Sequence, residues 1–374
     1  MTPRERVIET LTFGTPDKVP FQPGGPREST LRAWHGQGLG ADVHWHACLL
    51  ETLGIEPEPT RPAVRLDVDF RMIPQFEEKV LQHRGGHYVV QDWKGNVCEI
   101  SDAYDVSYLR HAKDFVTRTW IRCPVAGRDD FQRMKVRYDP DAPGRFPDDF
   151  ERRCEQAAGR DSLLTISFSG PFWQMREWCG FEGLCMLMID DPQLVADMAA
   201  FWTDFVAELL ERICRHVTPD RVCISEDMAY KAKAMISPAM TRTFCMPSWT
   251  RWASLVREAG TPLVDMDSDG YVGELIPIWI EAGINVCDPI EVAAHNDIGA
   301  FRRQFGRAIA YRQGVDKRAI AAGGRAIRDE LKRIEPVLAG GGYIPGCDHG
   351  VPPDISWPAF VDYARLLAQM TGWL

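Results

Sequence analysis

The chain has 374 residues, 45% of them hydrophobic and 26% charged, with a formal net charge of −10; this balance fits a soluble enzyme and excludes a disordered or fibrous chain. No run of lysine or arginine forms a stripe that could track phosphates, so nucleic acid is not an expected partner. The opening MTPRERVIETLTFGTPDKVP is charged where a signal peptide needs an apolar stretch, and no later segment approaches the roughly 18 apolar residues of a membrane span, so a cytoplasmic protein without membrane contact is expected. Eleven cysteines, an odd number, are scattered from Cys48 to Cys347 without a CxxC pair, which points to reduced thiols rather than a disulfide framework.

In chain order, TPRERVIETLTF offers Thr2 as an N-cap, glutamate three residues on and apolar positions at helical spacing, which predicts a short amphipathic helix. DKVPFQPGGP reads as a strand, at 19–24, halted by glycine and proline. RESTLRAWHGQGL and DVHWHACLLETLG read as short helices. The texture then changes: AVRLDVDFRMI and QFEEKVLQHRGGHYVVQDWKGNVCEI alternate apolar and polar residues, with hairpin turns at Gly85-Gly86 and Lys94-Gly95-Asn96, so 62–120 is expected to be an antiparallel insertion. The proline-rich stretch 137–147 reads as a linker.

Beyond it, six short apolar strands alternate with helical stretches: SLLTISFSG, RVCISED, TPLVDMDSDG, INVCDPIEV, RAIAYRQGV and GYIPGCDHG. Six such units without a dinucleotide-binding fingerprint predict an α/β fold, a closed (β/α)8 TIM-type barrel formed by 1–374 as a single domain, completed by the strand at 19–24 and one more near the insertion. Chemistry in such barrels gathers at the strand C-termini, so the candidates are Ser167 to Ser169, Glu226 and Asp227, Asp265 to Asp269, Asp288 to Glu291, Tyr311 to Gly314 and Cys347 to His349.

The segments DKVPFQPGG, GPFWQMREWCGFEGLCMLMIDDPQLV, EDMAYKAKAMISPAMTRTFCMPSW, EAGINVCDPIEV and GGYIPGCDHGVPPDISWPAF together resemble the uroporphyrinogen decarboxylase superfamily, over residues 1–35 and 160–374. The resemblance implies a (β/α)8 barrel in one of two branches: cofactor-free decarboxylases of tetrapyrrole acetate groups, or methyltransferases that work with corrinoid proteins. The decarboxylases carry an arginine-rich segment after the first strand; the matching PGGPRESTLRAW offers Arg27 and Arg32 as carboxylate-binding residues but not the motif. The methyltransferases carry His-x-Cys on a late strand and a second cysteine on the last, binding zinc. Cys347 falls where that second cysteine belongs, while Asp265 and Asp267 stand in place of His-x-Cys. The resemblance therefore implies a zinc site of Cys347, Asp265, Asp267 and His349, and a corrinoid carried by a partner protein.

Each candidate also has an ordinary reading. Cys347, Asp348 and His349 form either a site at the last strand's mouth or a plain loop, with His349 a ligand or an acid–base group. Asp265, Asp267 and Asp269 occupy alternate positions, so in an extended strand they share a side and demand something positive, a metal, an arginine or a cationic substrate. Glu226, beside Asp227, is either a catalytic carboxyl or a helix cap or salt-bridge partner. Trp173 and Tyr311 are candidates for contact with a small-molecule substrate, as is Asp269. Catalysis is assigned to Glu226, Asp267 and His349. The functional expectation is methyl transfer between a small molecule and a corrinoid protein; the alternatives are a metal-free decarboxylase of a polycarboxylate and a non-catalytic binding barrel. The insertion is expected either to close over the site or to make a homodimer contact.

Overall fold

The structure is a computed structural model that describes residues 1–58, 60–110 and 116–374; residues 111–115 of the expected insertion lie outside the described residues. The N-terminal helix forms where its sequence signals it, over Pro3–Leu11, with Thr2 Oγ1 accepting from the Glu5 amide and Glu5 returning a bond to the Thr2 amide. This reciprocal pair satisfies two of the donors a helix start leaves open.

Four strands form an antiparallel sheet: β1 (Lys79–Arg84), β2 (His87–Gln91), β3 (Val97–Ser101) and β4 (Thr119–Arg122), in that spatial order. The glycine pair 85–86 turns β1 into β2 with both φ angles positive, 56° and 79°, a conformation glycine adopts without steric cost. The sheet is narrower than the expected span, because residues 62–72 belong elsewhere.

Six strands form a parallel sheet: β5 (Thr165–Ser169), β6 (Arg221–Ser225), β7 (Leu263–Asp267), β8 (Val286–Asp288), β9 (Ala310–Arg312) and β10 (Tyr343–Ile344), ordered β10-β9-β8-β7-β6-β5. Each is followed by at least one helix, the longest being Pro192–His216. The architecture is the expected (β/α)8-type barrel, with a difference in how it closes. The strand expected at 19–24 carries no ladder; it lies along the last strand through the bridge Pro26–Val351 and the bonds Cys347 N to Pro23 O and Val351 N to Gly25 O. Residues 62–72 run along the β5 side without a ladder, passing through a left-handed φ of 51° at Asp67, and Phe70 stacks on Phe168 with centroids 5.1 Å apart. Proline at positions 20, 23 and 26 explains the first departure, since each removes a donor a ladder requires.

One continuous core joins the outward strand residues to the helices, and Trp202, Trp249, Trp252 and Trp279 are fully buried in it. The proline-rich stretch 137–147 packs against 69–73: Arg145, 1% exposed, donates to the carbonyls of Asp69, Arg71 and Asp139. No helix among the described residues is long and apolar enough to cross a membrane.

Candidate active site

Register decides which strand residues meet inside the barrel. In the parallel ladders Ser225 pairs with Asp267, Asp267 with Asp288, and Cys223 with Asp265, and paired residues in a sheet face the same way. Inward positions of β6 to β9 therefore run in rows: Ser225, Asp267 and Asp288 lie level near the strand C-termini, with Arg312 next to Asp288 on β9, while Cys223 and Asp265 lie one step deeper and Arg221 deeper again.

An ion network links the two rows. Arg312 donates to Asp288 Oδ2 at 2.6 Å and to Asp265 Oδ2 at 3.2 Å, and Arg221 lies 3.5 Å from the same Asp265 oxygen. Asp265, 0% exposed, is thus answered by two guanidiniums. In the upper row Asp267 receives a 3.0 Å bond from Ser225 Oγ and, among the described residues, no ion pair to a cation. Burial, with the nearby carboxylates Asp288, Asp227 and Asp265, pushes its carboxyl up to about 7; a charge removed from water without a partner takes up a proton instead.

At the mouth, His349 Nε2 lies 3.1 Å from Asp269 Oδ2, and His349 Nδ1 lies 3.1 Å from an Arg27 Nη2. Arginine only donates, so Nδ1 accepts and the neutral ring carries its proton on Nε2, facing Asp269. The Asp269 bond raises the His349 pKa, against burial and against Lys317 and Arg27. Asp227 sits at φ +41°, in the left-handed region, two residues after the end of β6. That turn puts its carboxyl in the cavity wall, where Oδ1 accepts from the Asp269 amide at 3.1 Å; burial and Asp269 raise its pKa.

These groups floor a cavity of about 1200 Å³, walled by residues 63–72 on one side and 163–169 on another, with Trp93, Trp173 and Gln313 also lining it. Six carboxylates and three Lys/Arg side chains line this space. All three cations are already matched: Arg65 to Asp67, Arg71 to Asp69 and Lys94 to Glu177. The unmatched carboxylates are Asp227, Asp267 and Asp269, the last sharing His349.

Several expected residues stand elsewhere. Glu226, 0% exposed, lies behind the cavity wall: it accepts from the Trp173 amide at 2.9 Å and from Trp249 Nε1 at 2.7 Å. It caps the start of helix Pro171–Cys179 from the neighbouring strand rather than meeting a substrate, and burial pushes it up to about 8. Tyr311, also 0% exposed, faces outward, its ring beneath the Arg302 guanidinium at 5.1 Å; its neighbour Arg312 is the inward residue, because strands alternate. Arg32 is exposed on helix Glu28–His35 and does not line the cavity, and Arg27 acts on it only through His349. Trp173, Asp267, Asp269 and His349 do line it.

The four residues expected to bind zinc do not converge. Cys347 is fully buried against the chain's first stave, where a Cβ on Gly24 would lie 2.8 Å from the Cys347 Cβ, and burial pushes its thiol up to about 12. Asp265 is engaged by two arginines in the layer below, and only Asp267 and His349 reach the cavity. Among the described residues no group of three or more His, Cys, Asp or Glu is placed to hold a metal ion. The donor set does not fit zinc, and no step below passes through a metal. Asp348, beside Cys347, is spent on backbone donors, accepting from the Val292 and Lys317 amides.

Asp227, Asp288 and Arg312 stand among the strand-end candidates without an assigned role, and Ser225 is outside them. Their strand-end position was a visible signal; their inward orientation was not.

A parallel barrel with a deep polar cavity at its strand C-termini, floored by protonatable carboxylates, is the architecture of a barrel enzyme. The profile of the uroporphyrinogen decarboxylase (URO-D) family matches residues 120–361, more than half of the chain. The chain belongs to that family. It is 24% identical over 263 residues to a uroporphyrinogen decarboxylase of Methylococcus capsulatus, covering 63% of this chain and 67% of that one. Its fold is similar to that of a methyltransferase from Methanosarcina mazei, with a TM-score of 0.57 and 14% identity over 100% of this chain and 98% of the other.

Proposed function

We propose that the protein is a methyltransferase acting on a small neutral or cationic methylated compound, with Asp267 as the general acid. The observation that carries this reading is the charge inventory of the cavity: its three cations are matched by carboxylates of its own wall, and the floor is left with Asp227, Asp267 and Asp269. A polycarboxylate substrate needs free bidentate donors, whereas this floor favours an ether or an amine. On an ether or a neutral amine the bonding electron pair stays on the substrate oxygen or nitrogen as the methyl group departs, and Asp267 delivers its proton there, whereas a quaternary ammonium leaves as a neutral amine without it; a carboxyl raised to about 7 can hold that proton and give it up near neutrality. Ser225 holds the acid in place. Asp269 and His349 position the substrate's polar end, with Arg27 fixing the imidazole tautomer. The acceptor in this reading is a corrinoid carried by a separate protein, which would supply the nucleophilic cobalt at the cavity mouth.

The relative in Methylococcus capsulatus favours a second reading, decarboxylation of a polycarboxylate with Asp267 protonating carbon. Calorimetric titration with tetramethylammonium, a neutral methyl aryl ether and a porphyrin octacarboxylate separates the two. Methyl transfer predicts binding of the cation or the ether, weakened in Asp269→Asn, and methylation of reduced cobalamin by the ether that Asp267→Asn abolishes. Tight binding of the octacarboxylate with release of carbon dioxide would sink it.

A further inference from the structure

In the parallel sheet β5 is an edge strand, with β6 on one side only. Residues 62–72 occupy its other side, where a closed barrel would place a laddered neighbour. The backbone bonds of this segment and the residue after it go instead to the loop behind: Asp69 N to Arg145 O at 2.9 Å and Ile73 N to Arg137 O at 2.7 Å. Its carbonyls are taken by side chains. Arg145 donates to the carbonyls of Asp69, at 2.6 Å, and Arg71; Arg153 donates to that of Arg65 at 3.0 Å and also holds the Asp67 carboxylate; Arg137 donates to that of Pro74 at 2.6 Å. Arg145 spends all its recorded bonds on backbone oxygens, with its guanidinium 4.9 Å over the Phe205 ring. The space left between the segment and β5 is part of the active-site cavity, lined by 63–72 and by Leu163 to Ser169.

We propose that residues 62–72 are a movable wall of the cavity, a strap clasped by Arg145, Arg137 and Arg153 that opens along the free edge of β5. A laddered stave could leave only by stripping a row of paired N–H and C=O groups, costly where water cannot replace them. Here the edge of β5 borders a polar cavity, so water can serve it when the strap swings out, and the contact broken first is the Phe70–Phe168 stack. Opening must also release Leu66, Phe70 and Met72 from the core, and the absence of a ladder is what sets the segment below the sheet in the range of local stabilities. The proposal rests on the cavity being the active site and not on the reaction performed there.

The test is amide hydrogen exchange on the full chain over a series of low denaturant concentrations. Amides of 64–73 should exchange roughly a hundredfold faster than those of β6 to β8 and without denaturant dependence, as local openings do, and the β5 amides not bonded to β6 should exchange in step with them. Arg145→Met should speed 64–73 by a further tenfold or so and leave β6 to β8 unchanged. Should that buried substitution prevent folding, Arg153→Met and Arg137→Met, at less buried positions, must each accelerate 64–73 selectively. The proposal is overturned if the Asp69 and Ile73 amides exchange with the rate and denaturant slope of β6 to β8, or if the substitutions lower protection uniformly. Neither outcome depends on whether methyl transfer is found.

Discussion

Replacing Asp267 by asparagine should stabilise the protein at alkaline pH while removing its activity. Burial and neighbouring carboxylates hold this carboxyl at about 7, against an ordinary value of 3.8. The folded state thus keeps a proton that the unfolded state has already lost, throughout the window from about 3.8 to about 7. In that window the folded chain binds more protons than the unfolded one, so stability falls as pH rises, and the full cost is present above pH 7. At about 1.4 kcal/mol per pH unit the cost comes to a little over 4 kcal/mol, and relaxation around the ionised group lowers it to about 2–4 kcal/mol. Asparagine is neutral at every pH and keeps an oxygen for the Ser225 hydroxyl, so it lacks this slope. Guanidinium unfolding of parent and variant across pH 4.5 to 8.5 would measure it: the variant's advantage should grow by about 2–4 kcal/mol toward the alkaline end. Glu226 and Asp348, held at about 8 and about 6 by burial, titrate in both proteins and drop out of the difference. A difference that stays flat with pH would refute the assignment of the proton to Asp267.

Arg312→Met should cost about 3–5 kcal/mol in unfolding free energy, because Asp288 and Asp265 lose the guanidinium they share; a loss below about 1 kcal/mol would show the network to be dispensable. Cys347→Ser should leave any catalytic turnover and any metal content unchanged while lowering the denaturation midpoint modestly, since the thiol serves as core; one zinc per chain lost with this substitution, by elemental analysis, would overturn that placement. Gly270→Ala should weaken substrate binding and cost about 2 kcal/mol or more, as this residue holds φ +86° and a Cβ would fall 2.4 Å from the Ala229 carbonyl oxygen; tetramethylammonium titration and thermal unfolding would both register it.

Local pattern carried the reading of the fold well. Six strand–helix units between 162 and 374 follow from short apolar runs set between amphipathic stretches, and the hairpin sheet from alternation with glycine turns. The boundary at 62 was misplaced because an extended segment alternates apolar and polar residues whether it pairs in a sheet or lies against a barrel, and 62–72 is the second kind. Adjacent residues at strand ends were harder still. Glu226 and Asp227 look alike in sequence, yet one lies behind the wall and the other within it, because Asp227 itself takes a left-handed conformation that turns the chain. Tyr311 and Arg312 exchange roles for a simpler reason, the alternation of a three-residue strand whose phase the sequence leaves open.

The amino-acid sequence by itself determined the class of fold, the end of the barrel where chemistry sits and the presence there of a charge excess, since DMDSDG demands counter-charges wherever it folds. Only the tertiary structure decided how that demand is met. Asp265 finds Arg221 and Arg312, from strands 44 residues before it and 47 after it, and Asp269 finds His349, 80 residues away. Asp267 finds, among the described residues, only the Ser225 hydroxyl and keeps a proton. Partners so distant along the chain leave no trace in local periodicity; they are set by register across the barrel, and the protonation of a buried carboxyl depends on which of its neighbours already hold the available cations.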